Sequence, residues 1–226
     1  MCNTSDTMAS PEERTKEKVK IAHEAILQLG QRAVEMALID RAVYLTPERM
    51  ENDAEHSFHL GLTAMELAEI FYPKLDSGLV AKYSLVHDLI ETITGDVPTY
   101  NLTKSELEEK RQTEHDALPQ LRQKLPEHTR KVLDEYEEQK IPEARFVRVV
   151  DKLLPAIIHT ILPEANKEEF FRRFGIKDEE HLAQLSAART RALKADYPEF
   201  DLIHQLRTVS SAMARRKLLA IGQELT

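Results

Sequence analysis

Apolar residues in this chain recur every three or four positions, the spacing of one helix face, and no stretch alternates as a half-buried strand would. Between Asp53 and Tyr72 they fall at Phe58, Leu62, Met65, Leu67, Ala68 and Phe71, and Pro73 closes the run. Helix starts are written in the punctuation. Ser10-Pro11-Glu12-Glu13 is a capping box with proline in the first turn, and Thr103 with Glu106 is a second box. The pattern predicts helices over Pro11–Leu29, with Gly30 ending or kinking the first, and over Gln31–Asp40. Further helices are expected over Asp53–Tyr72, Ser77–Thr92, Thr103–Lys124 and Pro126–Gln139, and then from Pro142 through ARFVRVVDKLLPAIIHTIL with a kink at Pro155. A short helix at 166–174 stopped by Gly175, and two more near 178–195 and 199–222, complete the set. Residues 41–52 read as irregular, and TGDVPTYN (94–101) as a turn-rich loop. The expectation is an all-α fold: one helical bundle of about nine or ten helices over residues 11–226, behind a disordered tail at 1–10.

Composition agrees with that picture. The chain has 226 residues, 42% of them apolar, and only 6 glycines, while the strong helix formers Glu, Lys, Leu and Ala recur throughout. A lone cysteine, Cys2, forms no disulfide within the chain, so the fold needs no oxidising compartment. The first residues hold no apolar signal segment, and no run of 18 apolar residues occurs, so a cytoplasmic protein without a membrane span is expected. The formal charge is −8, which argues against a nucleic-acid polymer as partner. An anionic substrate would have to be attracted by a local cation or arginine.

The candidate chemistry is a set of polar residues where apolar ones are due. His87-Asp88 lies in YSLVHDLIETITGD, Asp151 in VRVVDKLL, and His56 in another apolar-faced helix. An aspartate is rarely buried unless it is paired or ligates a metal. One divalent cation shared by three helices would account for all of them, since imidazole and carboxylate both bind such ions. A bland account also exists: each histidine is a satisfied core residue, and Asp151 pairs with Arg148 or Arg145 one turn away.

The segments ENDAEHSFH (51–59), YSLVHDLIETITGDVP (83–98) and EARFVRVVDKL (143–153) together resemble the H…HD…D pattern of the HD-domain metal-dependent phosphohydrolases, and most closely the YfbR-like 5′-deoxynucleotidases. The resemblance covers residues 30–175 and fades over the last fifty. It implies an HD-domain helical bundle in which His56, His87, Asp88 and Asp151 ligate one divalent ion (Mn, Co, Fe, Ni or Zn, or Mg). It also implies that Glu91 and Asp96 serve the catalytic chemistry and that Arg41 meets the substrate phosphate; charge balance on the phosphoryl oxygens adds Lys152 as a candidate. The tryptophan that accompanies this arginine in the family is missing, since the chain has no Trp. A plain alternative for Arg41 is that it caps the preceding helix.

The function this implies is hydrolysis of a nucleotide phosphate, a deoxynucleoside 5′-monophosphate first, by metal-activated water. Three other readings stand beside it: an HD enzyme acting on a dNTP or guanosine alarmone, an HD oxygenase holding two irons, and a non-catalytic, metal-binding regulatory module. The resemblance also implies a homodimer, for which Leu218 and Ile221 in the C-terminal helix are candidate contact residues.

Overall fold

The computed structural model describes residues 10–46, 48–99, 102–161 and 171–224, with side chains as far as Arg216. Residues 1–9 of the expected tail, most of the helix expected at 166–174, and the side chains of Leu218 and Ile221 lie outside the described residues.

Both predicted capping boxes form. Ser10 accepts from the Glu13 amide and starts α1 (Pro11–Ala37), and Thr103 accepts from the Glu106 amide and starts α5 (Lys104–Gln123). Gly30 neither ends nor kinks α1 into a separate element: the helix runs through it to Ala37. Helix on both sides holds the glycine in place, at the usual local cost of about 1 kcal/mol relative to alanine.

The segment read as irregular is a hairpin. β1 (Asp40–Thr46) pairs antiparallel with β2 (Arg49–Asn52), and the register shifts twice along it. Those shifts break the period-two pattern, and the contiguous Ala42-Val43-Tyr44-Leu45 run shows no alternation to read. Asn52 then caps α2 (Asp53–Phe71) in a third capping box, with Glu55.

Two further helices are shorter than expected, and both end at candidate ligands. α3 (Ser77–Val86) stops at His87, the chain makes tight turns, and α4 (Glu91–Thr94) follows. The turn is held by Leu89 N–H donating to the Val86 carbonyl (3.1 Å) and Glu91 N–H to that of Asp88 (2.9 Å). Likewise α7 (Pro142–Asp151) ends at the aspartate, and α8 (Leu154–Ile161) starts after Leu153 N–H donates to the Val150 carbonyl (2.9 Å). Pro155 is therefore not the kink. It sits in the first turn of α8, where its missing N–H would have had no helical partner. The remaining described helices are α6 (Glu127–Glu138), α9 (Glu179–Asp196) and α10 (Asp201–Glu224), the last preceded by a 3₁₀ turn at Pro198–Phe200.

The core lies where α2, α3, α6 and α7 meet, around Leu60, Val80, Tyr83, Leu133, Phe146 and Val147, each at most 1% exposed. Each such aliphatic or aromatic side chain contributes roughly 1.5–3 kcal/mol by leaving water. That packing fixes the ends of α3 and α7 against α2, and with them the polar residues described next.

Candidate active site

α2 carries Asp53 and His56 three residues apart, so both point the same way into the core, and neither exposes more than a trace of surface. The end of α3 brings His87 and Asp88 to the same place, and the end of α7 brings Asp151. His56 Nε2 lies 3.0 Å from Asp151 Oδ1 and 3.9 Å from Asp88 Oδ2, while His87 Nε2 lies 2.8 Å from Asp88 Oδ2 and 4.0 Å from Asp151 Oδ1. Successive residues on an ideal helix point about 100° apart. The break after Val86 is what allows His87 and Asp88 to face one centre.

The bland account of Asp151 does not hold. Arg145 pairs with Glu199 and Arg148 stacks over Tyr136, while Asp151 pairs with His56 and with Lys152, whose Nζ is 2.6 Å from Oδ2.

The donor set fits a divalent cation. Ligand atoms of His56, His87 and Asp151 all lie within 4.8 Å of one another, and the three residues are buried. His87 Nδ1 is 2.9 Å from the Ser84 carbonyl, so its proton belongs on Nδ1 and the Nε2 lone pair faces the centre. That Nε2 is buried, and its 2.8 Å approach to Asp88 Oδ2 lacks hydrogen-bond geometry. Glu51, on β2, backs His56 with Oε2 3.5 Å from Nδ1, the outer carboxylate often found behind a ligating imidazole.

A second carboxylate group lies alongside. Oxygens of Asp53, Glu91 and Asp96 also fall within 4.8 Å of one another, and Asp53 Oδ2 and Glu91 Oε2 are buried without hydrogen-bond partners. Gly95, at φ 73°, makes the left-handed turn between Glu91 and Asp96 that a side chain would resist. Arg41, from β1, threads between the two groups. Its Nη1 is 2.6 Å from Asp88 Oδ2, 3.0 Å from Asp53 Oδ1 and 3.7 Å from Glu91 Oε2. The helix-capping alternative for Arg41 is therefore not what forms: α1 ends at Leu38, and the guanidinium is spent on carboxylates.

So much negative charge in so little water moves the proton affinities. Burial, then the neighbouring Asp88, Asp96 and Asp53, pushes Glu91 up to about 11. Burial and Asp88 push Asp53 up to about 6, and burial also raises Asp96. Burial works against ionised Asp88, but His87 and Arg41 overcome it and hold that carboxyl below the usual range. Burial likewise opposes Asp151, which Lys152 and the His56 hydrogen bond hold low. Burial and Arg41 disfavour a proton on His56, yet hydrogen bonds donated to the Asp151 and Glu51 carboxylates raise it to about 9. The cluster attracts positive charge to the point where the two imidazoles and Asp151 converge.

All eight sequence-derived candidates thus converge on one centre or its rim. His56, His87, Asp88 and Asp151 surround the centre, Glu91 and Asp96 stand beside it with Arg41, and Lys152 is at the edge, half exposed. Sequence reasoning passed over Asp53, Glu51 and Lys110. Asp53 could have been found, being one turn before His56 on the same face. Lys110, whose Nζ is 3.8 Å from Glu91 Oε1, comes from α5, and nothing in its local sequence marks it. His59 is half-buried and belongs to neither potential metal group among the described residues.

The HD-domain family model matches residues 38–193 of the chain. Human 5′-deoxynucleotidase HDDC2 is 36% identical over 115 residues, 49% of this chain and 53% of the human protein. The Schizosaccharomyces pombe 5′-deoxynucleotidase hdd1 is 32% identical over 114 residues, 46% of this chain and 54% of its own. The chain spans about half the length of these curated relatives. Among solved structures, a predicted metal-dependent phosphohydrolase from Magnetospirillum magnetotacticum superposes with a TM-score of 0.61 at 22% identity, covering 93% of this chain and 97% of the other. A conserved hypothetical protein from Pyrococcus furiosus gives 0.53 at 25% identity, covering 80% and 98%. These two likenesses concern the fold.

Proposed function

This chain belongs to the HD-domain family, and we propose that it is a metal-dependent phosphohydrolase that removes the phosphate from a nucleotide, with deoxynucleoside 5′-monophosphates as its first substrates. The observation that carries the proposal is the convergence of ligand atoms of His56, His87 and Asp151 within 4.8 Å of one another, beside a buried carboxyl, Glu91, that stands outside that group. A purely structural metal site needs its ligands alone, so the flanking carboxylates favour the enzyme over the regulatory module. The names of the human and yeast relatives support the nucleotide as substrate class.

In this reading His56, His87, Asp88 and Asp151 hold one divalent ion of the transition series. When bound, such an ion lowers the pKa of a coordinated water and polarises a phosphoryl oxygen. Glu91 Oε2, ionised once the cation offsets the surrounding carboxylates, would orient the attacking water and take its proton, with Asp96 sharing that proton transfer. Arg41, shared among the site carboxylates, and Lys152, at the rim, meet the equatorial phosphoryl oxygens, because phosphoryl transfer is mostly positioning and charge balance. Water oxygen bonds to phosphorus as the P–O5′ bond breaks, and the proton that Glu91 and Asp96 took from the water passes to O5′, so that the nucleoside leaves as the neutral alcohol.

The test is a phosphate-release screen of metal-loaded protein against nucleoside mono- and triphosphates, with His87→Ala in parallel. Release from deoxynucleoside monophosphates by the wild-type chain only is expected. Turnover confined to triphosphates or alarmones would replace the substrate, and no turnover with any metal would leave the regulatory module.

A further inference from the structure

α5 packs against α4, the short helix that carries Glu91, and most of its charged side chains stay in water. Between Lys104 and Asp116 the two exceptions are Lys110 and Glu114, whose side chains are 16% and 27% exposed. Lysine resists such burial because its ammonium is strongly hydrated. Glu114, one turn on, accepts a hydrogen bond from Lys110 Nζ. That pair gives no reason for the burial, since the same spacing pairs Lys131 with Glu127 on an exposed face.

What the burial achieves is a second contact: Lys110 Nζ lies 3.8 Å from Glu91 Oε1. Arg41 Nη1 stands 3.7 Å from the other oxygen, Oε2, so cations from α5 and β1 bracket one carboxylate. The two are not interchangeable. Arg41 Nη1 lies closer to Asp88 and Asp53, at 2.6 and 3.0 Å, and its hold on Glu91 is shared with them. Among the described residues, the carboxylates that pair with Lys110 are Glu114 and Glu91, and neither belongs to the candidate ligand set.

The torsion that turns a glutamate's carboxylate is broad, with little to choose between its two oxygens. A group that must take a proton from one water needs that choice made, because small misplacements at a reacting atom cost rate steeply. A cation fixed on Oε1 makes the choice. It leaves Oε2, which is buried without a hydrogen-bond partner, for the water. It also favours the ionised carboxylate, the form that accepts a proton.

We propose that Lys110 is a positioning residue for Glu91, anchoring Oε1 so that Oε2 is the oxygen presented to the attacking water. Lys110 itself touches no substrate and keeps its protons. The proposal rests on the phosphohydrolase reading above, in which Glu91 acts on that water.

Lys110→Met keeps the length of the stem and removes the charge. In metal-loaded protein its kcat should fall roughly tenfold, part of what a positioned proton-transfer group supplies, while KM and metal stoichiometry stay within about twofold of wild type. Lys110→Arg, which restores a cation, should recover part of the loss. In a Glu91→Gln background, Lys110→Met should change kcat by less than about twofold, since residues that act through one another are not additive. Should Lys110→Met fail to fold by circular dichroism, Lys110→Gln repeats each comparison. An unchanged kcat, a raised KM, lost metal, or an equal loss in the Glu91→Gln background would each overturn the proposal. A wild type that releases no phosphate would instead refute the phosphohydrolase reading itself, and the proposal with it.

Discussion

Arg41→Ala removes a guanidinium that three site carboxylates share. The wild-type side chain is 11% exposed, with Nη1 2.6 Å from Asp88, 3.0 Å from Asp53 and 3.7 Å from Glu91. Removing one member of a buried ion pair leaves uncompensated charge and costs about 3–5 kcal/mol. For a chain of this size each kcal/mol moves the melting temperature by about 2–4 °C, so a drop of roughly 6–20 °C is expected in chelator-treated protein. Adding a divalent cation should shrink that drop, because the cation supplies part of the charge that Asp88 has lost. Arg41→Lys should recover about half of it, since a single ammonium cannot hold Asp88 and Asp53 as a planar fork does. The assay is thermal unfolding followed by circular dichroism, with and without chelator, and KM measured on the same samples. A melting temperature within about 2 °C of wild type in chelator would refute the counter-ion reasoning, whatever happens to KM. An unchanged KM would remove Arg41 from substrate binding.

Elemental analysis of purified His87→Ala should show the metal stoichiometry lost, and a full complement would dismiss the ligand assignment. Glu91→Gln should keep its metal while kcat falls on the order of 10²-fold, the usual share of a positioned proton-transfer group, and an unchanged kcat would clear Glu91 of that role. His159 supplies a pH test at a residue outside the eight candidates: burial, against the pull of Glu51, lowers it to about 4 from 6.5, and its Nε2 is shielded from solvent. A depressed histidine favours the fold fully above pH 6.5 and less as pH falls toward 4, because the unfolded chain takes up the proton first. Acidifying from pH 7.5 to 5 should therefore cost wild type about 2 kcal/mol more than His159→Gln, read from urea unfolding at both pH values. Equal losses would show that His159 titrates normally.

Glu91, Asp96 and Arg41 rest on the family resemblance and Lys152 on charge balance, but the helical class, two capping boxes and four candidate ligands, His56, His87, Asp88 and Asp151, are legible in the residues themselves. Each of these is a local matter. A capping box is decided within four residues, and an ionisable side chain on an apolar helix face is anomalous wherever that helix ends up. What tertiary structure decided was where helices stop and who answers whom. The Ser77–Thr92 and Pro142 helices look continuous because their apolar spacing continues through the ligands. Their breaks at His87 and Lys152 form where packing of α2, α3 and α7 around Leu60 and Phe146 makes pointing adjacent side chains at one centre worth more than one unbroken turn. The hairpin was illegible because its register slips, and Lys110 because its partner Glu91 comes from another helix. Arg41 was found as a residue but not as a counter-ion. Its 2.6 Å contact with Asp88 joins positions 47 residues apart, and only the closed fold brings those charges out of water together.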